Sequence, residues 1–489
     1  MSVSREIRRR LLVWLAALLP AQAAHAWDWR DIASTPFLDP LLASPPQLDT
    51  GKALPGDGQA YACGDSAYDS ASPLTLSGAI DLALCHNPQV QGAWASIKVQ
   101  AAQVGEARAA YLPTVNVGAS RLNQKTQYPE ARFQVNTQRT SDARYASMTW
   151  RLMDFGGRNA NRRSANALLE AALASHDATL QKTMATVIGL YFDAQAAKAN
   201  REAKEKSEIL ARRTLVTARK REARGAGAQS DTLQAKTSVA KAELESARAF
   251  GAYERSLTAL VVALGLPTQT VESKGLVLAQ DYMDEDNSLG HDLATWLELA
   301  QDQHPALVAA RAQLASAHEK LAVTRSEGLP TLDLTHSKYI NGRPNQGLSA
   351  TQTRESVVGL TMNFPLFEGF GRTYKVRGAQ AQIEIKKAEL KDIQNQVLGE
   401  IVKAHADGVA ALRNLASSRR LLDAAQDALE NVLRKYDQGI SDIVEMLSVQ
   451  LALADAQQER VRALAEWRSA RLRLLANAGT IGIKDVRKN

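Results

Sequence analysis

Few residues of this 489-residue chain are spaced for chemistry. Asp154-Phe155-Gly156 has the form of a kinase magnesium-binding triplet, but no glycine-rich phosphate loop or catalytic-loop motif accompanies it. The eight histidines are scattered, with neither nucleophile nor metal-ligand spacing. Cys63 and Cys85 are the two cysteines; in an exported protein they could form a disulfide tying the N-terminal segment to the first helix, or stand as two unpaired small residues. Asp442 and Glu445 fall three residues apart, on one face of a helix; taken alone they are solvated charges that a helix N-terminus favours. An enzyme is not expected, and no cofactor or metal is implied. What remains is electrostatic and geometric work, which depends on how long elements hold such residues.

Those elements are written twice. Asn87-Pro88 recurs as His304-Pro305 and Leu112-Pro113-Thr114 as Leu329-Pro330-Thr331, both 217 residues later. Asp154 to Arg158 returns as Glu368 to Arg372, and Gly225 with Asp231 returns as Gly439 with Glu445, both 214 residues later. The period is far longer than that of solenoid repeats, so a half has been duplicated. The chain divides into a signal peptide (1–26), a Pro-rich segment (27–74), repeat 1 (75–288), repeat 2 (289–479) and a tail (480–489).

The signal reading rests on Arg5, Arg8, Arg9 and Arg10 before an apolar Leu11–Leu19 and an Ala24-His25-Ala26 cleavage site; nine apolar residues are too few to span a bilayer. Removing it takes away four Arg and one Glu and lowers the formal net charge from +7 to +4. No basic-aromatic cluster accompanies that charge, so nucleic acid is not an expected partner. Aromatics make up only 5% while alanine is abundant, which suits closely packed helices better than a thick globular core.

Each repeat opens with a helical stretch, from Thr75 to about Tyr111 and from Asp292 to about Gly328. After each Leu-Pro the period changes: Thr114–Ala119 and Thr331–Thr335 alternate polar and apolar, and Tyr145–Leu152 and Val357–Phe364 follow beyond a loop. Each half thus offers one hairpin. Tyr111, Tyr145, Trp150, Phe155, Tyr339, Phe364, Phe367 and Phe370 are expected at strand ends, as the interfaces of a membrane barrel require, or as caps of a small soluble sheet. Gly156, Gly157, Gly369 and Gly371 let the chain turn from strand to helix. Beyond them, Arg158–Ala223 and Tyr374–Arg434 run without proline; ~65 helical residues span roughly 100 Å. A heptad seam is expected at Leu447, Leu451, Ala454, Gln458, Val461, Ala465, Arg468, Leu472 and Leu475.

Four strands cannot close a barrel, and open edges in lipid would leave backbone groups unpaired. If the strands are membranous, several copies combine and the helices project into water. The doubled Asn/His-Pro leader, the Leu-Pro before a strand, and the Asp/Glu…Gly-Arg turn into a long helix resemble the TolC family of outer-membrane export ducts over about 75–479. Within it, the N-terminal sequence and the lack of a lipid-attachment cysteine are closest to the duct of an adenylate-cyclase toxin secretion system. The resemblance implies a mainly α fold with a membrane β-barrel: a homotrimer with a twelve-stranded barrel in outer-membrane lipid and a twelve-helix coiled-coil barrel in the periplasm. It implies a periplasmic adaptor and an inner-membrane ABC transporter as partners, with exported protein as cargo. Small-molecule efflux is the alternative, and a periplasmic coiled-coil adaptor the alternative of another class. The resemblance also places a gate at the periplasmic tip. Glu445 falls at the first acidic position, whereas Ser448 stands at the second, so Asp442 and Glu445 are expected to form the charged rings. Tyr436 and Asp231 match positions that hold the tip shut.

Overall fold

The computed structural model describes residues 73–126, 137–225, 227–267, 276–279, 289–341, 343, 353–438 and 440–481. One order of elements appears twice. In the first half, α1 (Leu76–His86) and α2 (Pro88–Ala109) precede β1 (Thr114–Thr126), β2 (Thr137–Met153), α3 (Gly157–Ala223) and α4 (Gln229–Ala263). In the second, α5 (Leu293–Gln303) and α6 (Pro305–Ser326) precede β3 (Thr331–Ile340), β4 (Arg354–Asn363), α7 (Gly371–Asp437) and α8 (Ile443–Asn477).

The opening helical stretch of each half is two helices rather than the single one its periodicity predicts. Pro88 and Pro305 stand at the first position of α2 and α6, where a missing N–H costs nothing, and each preceding residue is extended. The strands, in contrast, run past their alternating cores. β2 has 17 residues and β1 13, because residues on both faces of a barrel wall need not alternate strictly.

α3 and α7 have 67 residues each, and α4 and α8 35 each. Toward the strands the helices lie in the order α2–α3–α6–α7; toward the opposite tip the order is α4–α3–α8–α7. Small side chains set the close spacing: α3 buries Ala160, Ser164, Ala165, Ala171 and Ala172, and Ser164 Oγ meets Ser316 Oγ of α6 at 2.9 Å. The buried residues of α8 are Ile443, Met446, Ala456, Ala463, Trp467, Leu472, Leu474 and Ala476; of the expected seam Leu472 is buried and Leu447, Ala465 and Leu475 pack half-buried, while a second line of buried residues runs offset by about two positions. Leu451 is exposed. The offset arises because α8 packs on α7 and α3 at once, and Ala456 and Ala463 admit both.

The largest core sits at the waist, halfway along α3. Met184, Ile188, Tyr191 and Phe192 meet Ile80 of α1 and Leu260 of α4 there. Among the described residues, no helix is long and apolar enough to cross a membrane.

Candidate functional site

The four strands form one antiparallel sheet in the order β1-β2-β3-β4, so among the described residues β1 and β4 each keep one edge without a partner. Register sorts the side chains into two faces. One carries, in the part nearer the helices, Val115 and Val117, Ala146, Met148 and Trp150, Leu332 and Leu334, and Val358, Leu360 and Met362, with His336 among them and Arg144, Lys338 and Ser356 farther out. Val117, Val358, Leu360 and Met362 are all more than 60% exposed on it. The other face carries Asn116, Ser120, Ser147, Thr149, Arg151, Asp333, Ser337 and Thr361, with Arg151 Nε 2.9 Å from Asp333 Oδ1. An apolar face with an exposed surface and a polar face opposite it fit lipid outside and water inside. Tyr145 does not sit at a strand end; it lies mid-β2, its ring 6.4 Å from that of Tyr339 on the polar face, over Gly118.

Below the sheet, the strand-to-helix turns are built alike but not identically. Phe155 and Gly156 take consecutive positive φ in the first half, and Gly369 and Phe370 do so in the second. A phenylalanine therefore occupies a left-handed position in each copy, although glycine suits either better. Gly157 is required for another reason: a Cβ there would lie 2.5 Å from Ser326 Oγ, whereas Gly371 has open space. The arginine after each turn clamps it. Arg158 donates to Asp154 at 3.1 Å and to the carbonyls of Arg151 (2.7 Å) and Leu152 (3.2 Å), and its guanidinium lies 4.8 Å from the Tyr111 ring centre. Arg372 donates to the Pro365 carbonyl at 3.1 Å and fills the space above Gly328. Phe364, Leu366, Phe367 and Phe370 stand exposed around it.

At the far tip, α3 turns into α4 through Gly225, and α7 into α8 beside Gly439, which lies outside the described residues. Asp442 caps α8, its Oδ1 accepting from Glu445 N at 2.7 Å. The Glu445 carboxylate accepts from Ser441, and Ser448 Oγ donates to the Glu445 carbonyl at 2.9 Å. All three predicted gate residues thus share one exposed helix start, an acidic end favoured by the helix dipole. Tyr436 is buried with Val432, Ile443 and Met446. Asp231 starts α4 and accepts from Ala228 N at 3.4 Å. The contact between the halves that sequence reasoning missed is Arg221 of α3. Its Nη1 donates to the Tyr436 carbonyl at 3.0 Å, and its guanidinium lies 4.8 Å from the Tyr436 ring centre. An arginine on a long polar helix carries no sequence signal for such a role. Farther up, Gln450 of α8 donates to Thr214 of α3 at 3.1 Å. Cys63, and with it the expected bridge to Cys85, lies outside the described residues.

The family model described as outer membrane efflux protein matches the chain twice, over residues 79–266 and 296–480. The chain belongs to that family. It is 35% identical over 442 residues to Protein CyaE of Bordetella pertussis, covering 90% of each chain. It is 24% identical over 432 residues to the proteases secretion protein PrtF of Dickeya chrysanthemi, covering 85% of this chain and 90% of that one. The solved structure of the outer membrane protein VceC of Vibrio cholerae superposes with a TM-score of 0.69 at 20% identity, covering 83% of this chain and 96% of that one. The TolC-like resemblance read from the motifs therefore holds: the protein is an outer-membrane channel for efflux or secretion, with a helical tunnel joined to a barrel. Its family consists of channels, not of enzymes or adaptor scaffolds.

Proposed function

We propose that the chain is the outer-membrane duct of a type I secretion system, passing a protein toxin from an inner-membrane ABC transporter and its periplasmic adaptor directly to the exterior. The observation that carries this reading is the unclosed sheet. Four strands with a lipid-suited face and two free edges sit above helices of about 100 Å. Edges in hydrocarbon cost several kcal/mol per unpaired group, so β1 of one copy pairs with β4 of the next, and three copies close twelve strands. The same symmetry brings the open sides of α2, α4 and α7 together into a tube of twelve helices and gathers Asp442 and Glu445 into acidic rings at its mouth. Like charges so gathered favour cations and make closure salt-sensitive.

Protein cargo is favoured over small molecules by the likeness to a toxin duct in the N-terminal sequence, by the 35% identity to CyaE, and by the likeness to PrtF, a proteases secretion protein. Drug efflux is the second reading, since the family description names efflux. Deletion of the gene decides between them. We expect one secreted protein to remain inside the cell with antibiotic susceptibility unchanged; drug sensitisation with an intact set of secreted proteins overturns the secretion reading.

A further inference from the structure

The waist holds two equivalent helix joints closed by different chemistry. Asn87 caps α2, its Oδ1 accepting from Gln89 N at 2.8 Å, with φ −66° and ψ 124°. His304 caps α6 with almost the same backbone, φ −63° and ψ 123°, but the acceptor is its imidazole Nδ1, 3.2 Å from Ala306 N. An amide oxygen accepts at any ordinary pH. An imidazole nitrogen accepts only while it is unprotonated. Each joint also receives the end of a returning helix. Asn87 Nδ2 donates to the Ala263 carbonyl at 3.0 Å, and Gly479, after α8, stands against His304 and Pro305.

We propose that the α5–α6 joint is a proton-operated hinge: protonation of His304 at Nδ1 removes the acceptor for Ala306 N–H and loosens the second-half joint while the Asn87 joint holds. Among the described residues, no carboxylate bonds the His304 ring. Gln181 of α3, beside Gly479, is buried and neutral with neither amide atom hydrogen-bonded. The charged groups nearest along the joining elements are Asp302, Arg311 of α6, Lys182 of α3 and Arg473 of α8; Arg311 donates to the Gln301 carbonyl. Burial alone lowers the imidazole pKa below its ordinary value. The opened joint therefore binds the proton first. The cap contributes fully above the ordinary histidine pKa and is lost as pH falls through the depressed one.

Hydrogen exchange on the full-length protein in detergent, corrected for intrinsic rates, tests this between about pH 7.5 and about pH 5, where imidazoles titrate. We expect amides 306–308 to lose protection about fivefold or more in acid, the effect of losing a cap, while amides 89–91 do not. His304→Asn should abolish the loss, and Asn87→His should create it in the first half. Equal protection of 306–308 at both pH values, or the same acid loss in His304→Asn, overturns the hinge. So does an Asn87→His protein whose first joint stays insensitive. Each result leaves the secretion reading standing, because none measures export.

Discussion

Asp442 and Glu445 hold the start of α8, and the proposed duct would also gather them into charged rings; substitutions can separate the two. Both stabilise the start of α8, Asp442 as its cap and Glu445 through Ser441. Alanine at Asp442 would remove the cap, at about 1 kcal/mol, along with the charge. Asp442→Asn with Glu445→Gln keeps the hydrogen-bonding shape and removes only the charge. Single-channel recordings of that pair should show a markedly weaker preference for cations with helix content unchanged; an unaltered preference would dispose of the charged rings. Arg221 makes a different prediction. Its stack on Tyr436 and its bond to the Tyr436 carbonyl together are worth about 2 kcal/mol, so Arg221→Ala should shift the tip toward the open, higher-conductance state by about thirtyfold. Arg221→Lys should recover little, since an ammonium cannot stack and donate in one plane. Wild-type openings in both variants would leave Arg221 a mere packing residue. That Asp442 and Glu445 start a helix was legible from the repeated glycine turn, while a gate role came only from the family resemblance; Arg221 was not legible, because its partner lies 215 residues away.

At the scale of elements, each barrel-to-tunnel turn contains a phenylalanine held at positive φ, Phe155 at 50° and Phe370 at 63°. The left-handed conformation costs roughly 1–2 kcal/mol for such a residue, and the ring stays exposed in the single chain. The strain is explained if the rings sit at the bilayer interface, where aromatic girdles flank a barrel. Phe370→Gly should therefore stabilise the turn in detergent by about 1 kcal/mol yet weaken retention of the trimer in vesicles. Thermal melts in the two media would show opposite signs; a loss in both would mean the ring packs within the protein. Long helices were the most legible elements, since 67 residues without proline admit little else. The helix breaks at Asn87 and His304 are carried by Pro88 and Pro305, whose ring and missing N–H interrupt a helix interior, a signal that the long helical stretch around them obscures. The seam of α8 was legible only in part, at Leu472 and its half-buried neighbours, because a helix with two packing partners buries more than one heptad stripe.

At the scale of the whole molecule, the described residues leave a sheet with two free edges and a four-helix slab with open sides, which the proposed trimer would close. Register allows that assembly to be tested by two neighbouring residues. Leu360 pairs with Leu334, which itself faces Trp150, on the apolar face, while Thr361 pairs with Asp333, which bonds Arg151, on the polar face. An arginine facing lipid costs up to about 2–4 kcal/mol at the midplane and less toward the interfaces, and a trimer carries the cost at three equivalent sites. Leu360→Arg should thus nearly abolish trimers that resist detergent on unheated gels. Thr361→Arg, one residue along the same strand, should assemble normally and instead reduce cation conductance from inside the pore. If Leu360→Arg assembles and Thr361→Arg does not, the sheet is inside out and the duct cannot be built this way. If both assemble with unchanged conductance, neither face meets lipid or pore, and β1 and β4 would have to find their partners within a closed single chain.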